Sequence, residues 1–172
     1  MTSLSAGQVI DLLGLRPLPG EGGYFAETYR STITLSPDQL DPAFGGERVA
    51  ATAIYYLVTP DSFSALHRLT GDEIYHFYAG DPIDLALLHP DGSHETVRLG
   101  NDLARGQRPQ VIAPGGSWQG SALEPGGSWA LVGTTMTPGF DHRDFELGDR
   151  DALSAAYPAA SGLIKRLTRT VR

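Results

Sequence analysis

What most limits the fold of this chain is how often it is interrupted. Glycine occurs 21 times and proline 12 times, and between them lie short apolar runs. Long helices do not survive that density of breakers, whereas short strands joined by turns do. The runs at 24–30 (YFAETYR), 49–59, 63–69, 73–79, 83–90, 95–99, 109–114, 118–123 and 128–137 each predict a strand. "HPDGS" at 89–93 predicts a hairpin turn between two of them. Many short strands at this spacing predict an all-β sandwich or barrel. The segment 31–48 reads as a long polar connection.

The two ends read differently. Ser5 and Gln8 have capping-box spacing, Val9, Leu12 and Leu13 share a helical face, and Gly14 is a stop, so a short helix is predicted over 5–13. Asp149 can cap a second helix, and Pro158 starts a further turn or helix through "AASGLIKRL". Lys165, Arg166, Arg169 and Arg172 suit the end of that last helix and are expected to be solvated there. "PGGSW" occurs at 114–118 and at 125–129. No Lys-Ser/Thr follows it, so it reads as two similar turns leading into strands and not as a phosphate loop.

Composition excludes several functions. A net charge of −7 argues against nucleic acid or an anionic membrane as partner. The absence of cysteine removes disulfides, zinc-thiolate sites and thiol nucleophiles. No apolar stretch approaches the ~18 residues of a membrane span, and "MTSLSAGQVIDLLGL" lacks a signal peptide's basic start and apolar centre. One domain over residues 1–172, cytoplasmic and handling a small molecule, is the expectation.

The chemistry concentrates in "HRLTGDEIYHFYAG". Alternate residues of a strand share a face, which groups Phe63, Ala65, His67 and Leu69, and then Glu73, Tyr75 and Phe77. "LTGDE" reads as a turn that lets His67 and Glu73 meet inside the sandwich. A carboxylate beside a buried imidazole fixes its tautomer and raises its basicity. His76 falls at odd spacing and should face away. His89 and His94 flank a turn and should be exposed, and His142 is expected at the surface, with a pocket rim as the alternative. By the same parity Phe25, Glu27 and Tyr29 share a face. Glu27, Tyr29, Arg108, Gln110, Trp118 and Gln119 are therefore candidate substrate-binding residues.

These residues resemble a known family. His67, Leu69, Glu73 and Gly80 follow the first cupin motif, with Leu69 in place of its second histidine. "PGGSWQGSAL" at 114–123 follows the second motif, with Gln119 and Leu123 in place of its His and Asn. The likeness is closer to the cupin-5 (DUF985) subgroup. It is carried by "LGLRPLPGEGGYFAETYRS", "HRLTGDEIYHFYAG", "GQRPQVIAPGGSWQ", "ALVGTTMTPGFDHRDFELG" and the closing "AAYP…LIKRLT". The resemblance implies a double-stranded β-helix, or jelly roll, with short helices at both ends. It also implies pairing into a homodimer and a shape like that of the sugar-nucleotide 3,5-epimerases.

Three functions follow. The first is a metal-independent isomerase or epimerase of a sugar-like or carbonyl compound, with His67 as base, Glu73 orienting it and Tyr75 as acid. The second is a non-catalytic binder of a small ligand. The third is a metal-dependent, oxygenase-type cupin using His67, Glu73 and Gln119. One imidazole, one carboxylate and one amide fall short of two histidines and a carboxylate, so no cofactor is expected beyond a weakly held divalent cation.

Overall fold

The computed structural model describes residues 4–169. Its elements in chain order are α1 (Ala6–Leu13), β1 (Arg16–Pro17), β2 (Tyr24–Arg30), β3 (Thr34–Leu35), β4 (Arg48–Val49), β5 (Thr52–Val58) and β6 (Ser64–Leu69). There follow β7 (Glu73–Gly80), β8 (Ile83–Leu88), β9 (His94–Leu99), β10 (Gln110–Ala113), β11 (Trp118–Leu123), β12 (Ala130–Met136) and β13 (Phe145–Leu147). Helices α2 (Arg150–Ala156) and α3 (Ser161–Arg166) come last. Among the described residues no helix is long and apolar enough to cross a membrane.

Two antiparallel sheets face each other, in the orders β1-β2-β5-β12-β7-β10 and β13-β6-β11-β8-β9. Between them lies a core that includes Val58, Ile83, Leu85, Leu87, Leu99 and Val132. The architecture is the expected cupin-like sandwich. Strands β6 and β7 are consecutive in sequence but lie in opposite sheets. The "LTGDE" link therefore crosses the sandwich and does not close a hairpin. "HPDGS" does turn a hairpin, with His89 N donating to Ser93 O at 2.9 Å.

The terminal helices seal the outer faces. Ser5 and Gln8 form the capping box, and Gly14 ends α1 in the left-handed region. Val9 of that helix and Leu15 just after it pack against Leu57 on the outside of the six-stranded sheet. The C-terminal pair packs Leu153, Tyr157, Ile164 and Leu167 onto Leu66, Leu88 and Trp118 outside the other sheet. Lys165 and Arg166 lie exposed in the last turn of α3, as expected, whereas Arg169, also exposed, makes specific contacts. Arg169 donates to Gly20 O (3.0 Å) and Glu21 O (3.2 Å) and lies over the Phe63 ring. Arg172 lies outside the described residues.

Two irregularities break strand parity. In β2 the register against β5 slips between Glu27 and Tyr29, which makes Thr28 a bulge. Tyr29 is thereby turned to solvent, 55% exposed. In β6 the register against β11 pairs His67 with Gln119 but Ser64 with Ser121, so both Ser64 and His67 face inward. Phe63, grouped with His67 by simple alternation, packs instead toward the C-terminal helices.

The connection 31–48 is not featureless: it holds β3 and β4, and Arg48 anchors it. The Arg48 guanidinium grips Asp144 with two bonds of 2.7 Å and also reaches the Phe44 carbonyl. Both side chains are almost wholly buried. Replacing Arg48 with Met strands the Asp144 carboxylate and is expected to lower stability by about 3 kcal/mol, read from urea unfolding. Adding Asp144→Leu is expected to recover most of the loss. An unchanged midpoint in the single variant would show that the pair contributes nothing.

Candidate functional site

At one end of the sandwich the apolar core gives way to a cavity of about 350 Å³. The change is written along the strands. On the inward face β7 runs Glu73, Tyr75, Phe77, and its neighbour β12 runs Met136, Thr134, Val132 in matching register. Each strand goes from cavity to core as it crosses the sandwich. Phe25, Ile54, Leu69, Met136, Phe140 and Phe145 form the apolar walls. The floor carries buried His67, Glu73, Tyr56 and Tyr75, with part-buried Glu21 beside them. The exposed mouth carries Arg16, Glu27, Arg30 and His142.

His67 is 2% exposed and sits between two carboxylates. Its Nε2 lies 3.9 Å from Glu73 Oε2, and its Nδ1 lies 4.0 Å from Glu21 Oε1. Nδ1 donates to the Ala65 carbonyl at 2.8 Å, which assigns the proton on that nitrogen and leaves Nε2 toward the cavity side. The Phe145 ring stacks on the imidazole, 5.3 Å between centroids. Burial opposes a charge on His67. The Glu21 charge, Glu73 and the Ala65 carbonyl outweigh it and push the pKa up to about 9. Burial also raises Glu21, with Glu73 adding to the effect and His67 and Ser64 opposing it. Burial and then the neighbouring carboxylates raise Tyr75 and Tyr56 well above 10, so both phenols stay neutral donors.

The supports of these groups can be traced. Glu73 Oε2 accepts a 2.7 Å bond from Gln119 Nε2. Glu21 Oε1 accepts from Ser64 Oγ at 2.7 Å, which the β6 bulge makes possible. Glu21 comes from the turn "PGEGG". A side chain on Gly22 would strike Arg169 and the Phe63 carbonyl within 2.4 Å, and one on Gly23 would strike the Tyr56 hydroxyl at 2.5 Å. Only glycine lets the turn close this tightly onto the floor. Neither Glu21 nor Phe145 is singled out by sequence parity. The signal for Glu21 was a lone carboxylate among glycines. Strand β13, which carries Phe145, is too short and too polar to register as a strand.

The sequence-predicted residues divide. His67, Glu73 and Tyr75 come together at the floor, with Gln119 behind Glu73, and Glu27 reaches the mouth. Tyr29 does not, because of the Thr28 bulge. Trp118 faces the opposite way from Gln119 and packs against the C-terminal helices under Arg68. Arg108 lies on a separate outer groove beside Arg98 and Arg105. Gln110 is on the outer face of the sheet, where its amide meets His76 Nδ1 at 3.3 Å. His76 thus faces away from the cavity, as parity predicts.

The donor set does not fit the metal of other cupins. Leu69 is a buried wall where a second imidazole would be needed. Gln119 turns its N–H end to Glu73 and leaves Oε1 without a partner, so the amide presents a donor where a cation requires lone pairs. Among the described residues no three His, Asp or Glu side chains gather as metal ligands do.

Comparison with known proteins places these residues in a wider set. The family model Cupin_5, cupin superfamily (DUF985), matches residues 7–148. The uncharacterized protein YML079W of Saccharomyces cerevisiae is 34% identical over 134 residues, 72% of this chain and 66% of the yeast protein's own length. The chain therefore spans just under two thirds of that relative. A hypothetical protein from Leishmania major superposes with a TM-score of 0.88 at 34% identity, covering 97% of this chain and 100% of that one. Protein SO0799 from Shewanella oneidensis gives 0.86 at 36% identity, with 98% and 100% covered.

The raised pKa of His67 carries a stability signature. Above its ordinary value of 6.5, the folded chain holds a proton that the unfolded chain releases. The stabilisation is complete below pH 6.5 and is lost as pH rises through about 9. The imidazole NMR resonances of His67 are expected to titrate near 9, and Glu21→Gln is expected to lower that midpoint by at least a unit. A midpoint at or below 6.5 in the unsubstituted protein would contradict the arrangement.

Proposed function

The chain belongs to the Cupin_5 (DUF985) family of the cupin superfamily, and on that footing we propose that it is a metal-independent enzyme moving a proton on a small carbonyl compound, in the manner of an isomerase or epimerase. One observation carries the reading: an imidazole held between two carboxylates at the floor of a largely apolar cavity. Pairs of titratable groups with separated pKa values are what acid–base catalysis at one site requires.

The roles differ from those expected of the sequence. At neutral pH His67 carries its proton, so it acts as the acid and not the base. Its Nε2–H donates to the ligand's carbonyl oxygen and stabilises the enolate that forms. Glu21, made more basic by burial, takes the proton from the adjacent carbon. Glu21, and Glu73 fixed by Gln119, keep the imidazole charged. Tyr75 remains neutral and adds a hydrogen bond. In an isomerisation Glu21 returns the proton to the neighbouring carbon; in an epimerisation water delivers a proton to the opposite face while Glu21 releases its own to solvent, and neither changes the net number of protons.

The test is hydrogen exchange in deuterium oxide with a panel of small ketones, aldehydes and 2-oxo acids, followed by proton NMR. At least one compound is expected to exchange its proton next to the carbonyl, with the rate falling above pH 9 as His67 discharges. His67→Gln and Glu21→Gln are each expected to slow exchange by roughly 100-fold or more. Exchange that survives both substitutions would end the proposal. A ligand that binds and is recovered unlabelled would make the chain a binding protein.

The same proposal includes a homodimer. Tyr78 and Ile112, 47% and 54% exposed on strands β7 and β10, support pairing through that sheet. Sedimentation at twice the 18.4 kDa chain mass is expected, and a monomer at micromolar concentration would refute it.

A further inference from the structure

The mouth of the cavity carries a charge pattern that the floor does not need. In β1, Arg16 pairs with Phe25 of β2, and residues directly opposite in an antiparallel pair share a face. Phe25 lines the cavity, so Arg16 does as well, and its guanidinium lies 5.0 Å from the centre of that ring. Further along β2 the Thr28 bulge turns Arg30 onto the cavity side in place of Tyr29. Arg30 is spent on Glu27, which it meets with bonds of 3.0 and 2.7 Å. The Arg16 side chain has no hydrogen-bond or ion-pair partner among the described residues, only the Phe25 ring. With Arg30 and Glu27 cancelling, the mouth has one uncommitted positive charge, while the floor is acidic.

We propose that Arg16 is the anion-receiving residue of this pocket, and that the ligand is a small monocarboxylate with an apolar body and a second, neutral oxygen function. The inference rests on the proton-transfer reading of the same cavity and adds the class of molecule. The guanidinium fork matches a carboxylate with two parallel hydrogen bonds. The carboxylate cannot go to the floor, where Glu21 and Glu73 would repel it. It stays at the mouth, the apolar body lies along Phe25, Ile54 and Phe140, and the neutral carbonyl reaches His67. At about 350 Å³ the cavity falls in the range of small-molecule sites. The arrangement orients the ligand by charge: one end is attracted to the mouth and excluded from the floor.

The experiment uses two probes of one skeleton, 4-(3-oxobutyl)benzoate, whose carboxylate and ketone stand at opposite ends of an apolar body, and 4-phenylbutan-2-one, titrated by NMR. The unsubstituted protein is expected to bind the oxo acid at least tenfold more tightly than the ketone. Arg16→Gln is expected to reduce that advantage to less than twofold, and Arg16→Lys to keep part of it. Arg105→Gln, on the remote outer groove, is expected to keep all of it and so controls for net charge. Equal binding of the two probes, an advantage that survives Arg16→Gln, or no binding of either probe would overturn the proposal. Deuterium exchange measured on the same samples separates the two readings. Exchange without a carboxylate advantage removes the anion site alone, and a carboxylate advantage without exchange removes the proton transfer alone.

Discussion

Everything at the working end of this molecule depends on keeping charge buried. An isolated ion inside a sandwich costs several kcal/mol and ordinarily neutralises itself. Here Glu21, His67 and Glu73 compensate one another, and each is tied to something rigid. Glu73 holds the Gln119 amide, Glu21 the Ser64 hydroxyl, and His67 the Ala65 carbonyl. Remove one and its partners become uncompensated charges. The cluster is a single electrostatic unit drawn from the β1–β2 connection and from strands of both sheets. The crossing of β6 and β7 into opposite sheets is what sets the histidine against the carboxylate.

The supports extend well beyond the cavity. Arg169 grips the backbone of Gly20 and Glu21, so the C-terminal segment braces the turn that presents the Glu21 carboxylate. Arg48 grips Asp144 just before β13, so the 31–48 connection braces the strand that lays Phe145 on the imidazole. A tail and a long loop, the parts of a chain most often free to vary, are here used to hold two faces of one histidine. On the proton-transfer reading, this bracing holds the reacting groups in position.

Strand existence was legible because glycine and proline punctuate the runs, and the runs at 24–30 and 118–123 match β2 and β11 residue for residue. Parity was legible wherever the ladders are regular, which is why His67, Glu73 and Tyr75 meet and His76 faces out. It failed where a ladder slips. The bulges at Thr28 and between Ser64 and His67 come from pairing with a neighbouring strand, and nothing in the local residue order announces them. One slip removed Tyr29 from the site and put Arg30 there. The other let Ser64 hold Glu21. Arg108 and Gln110 were singled out for what their side chains can bond and Trp118 for its place beside Gln119, but neither decides which side of a sheet a residue faces. Glu21 was invisible for another reason: a turn residue has no periodicity to read.

The two substitutions that depart from the cupin motifs make sense together. Leu69 in place of one histidine leaves a poor metal site. Losing the other to Gln119 changes the character of what remains. An imidazole there would compete for Glu73 as a second base. An amide instead donates to Glu73 Oε2 and holds the carboxylate 3.9 Å from His67 Nε2, close enough to favour its charge and too far to bond it. Nε2 is thereby charged, oriented and unspent. The same frame that elsewhere in the superfamily directs imidazoles onto a cation here directs one imidazolium into a cavity, where the cation is the histidine's own proton.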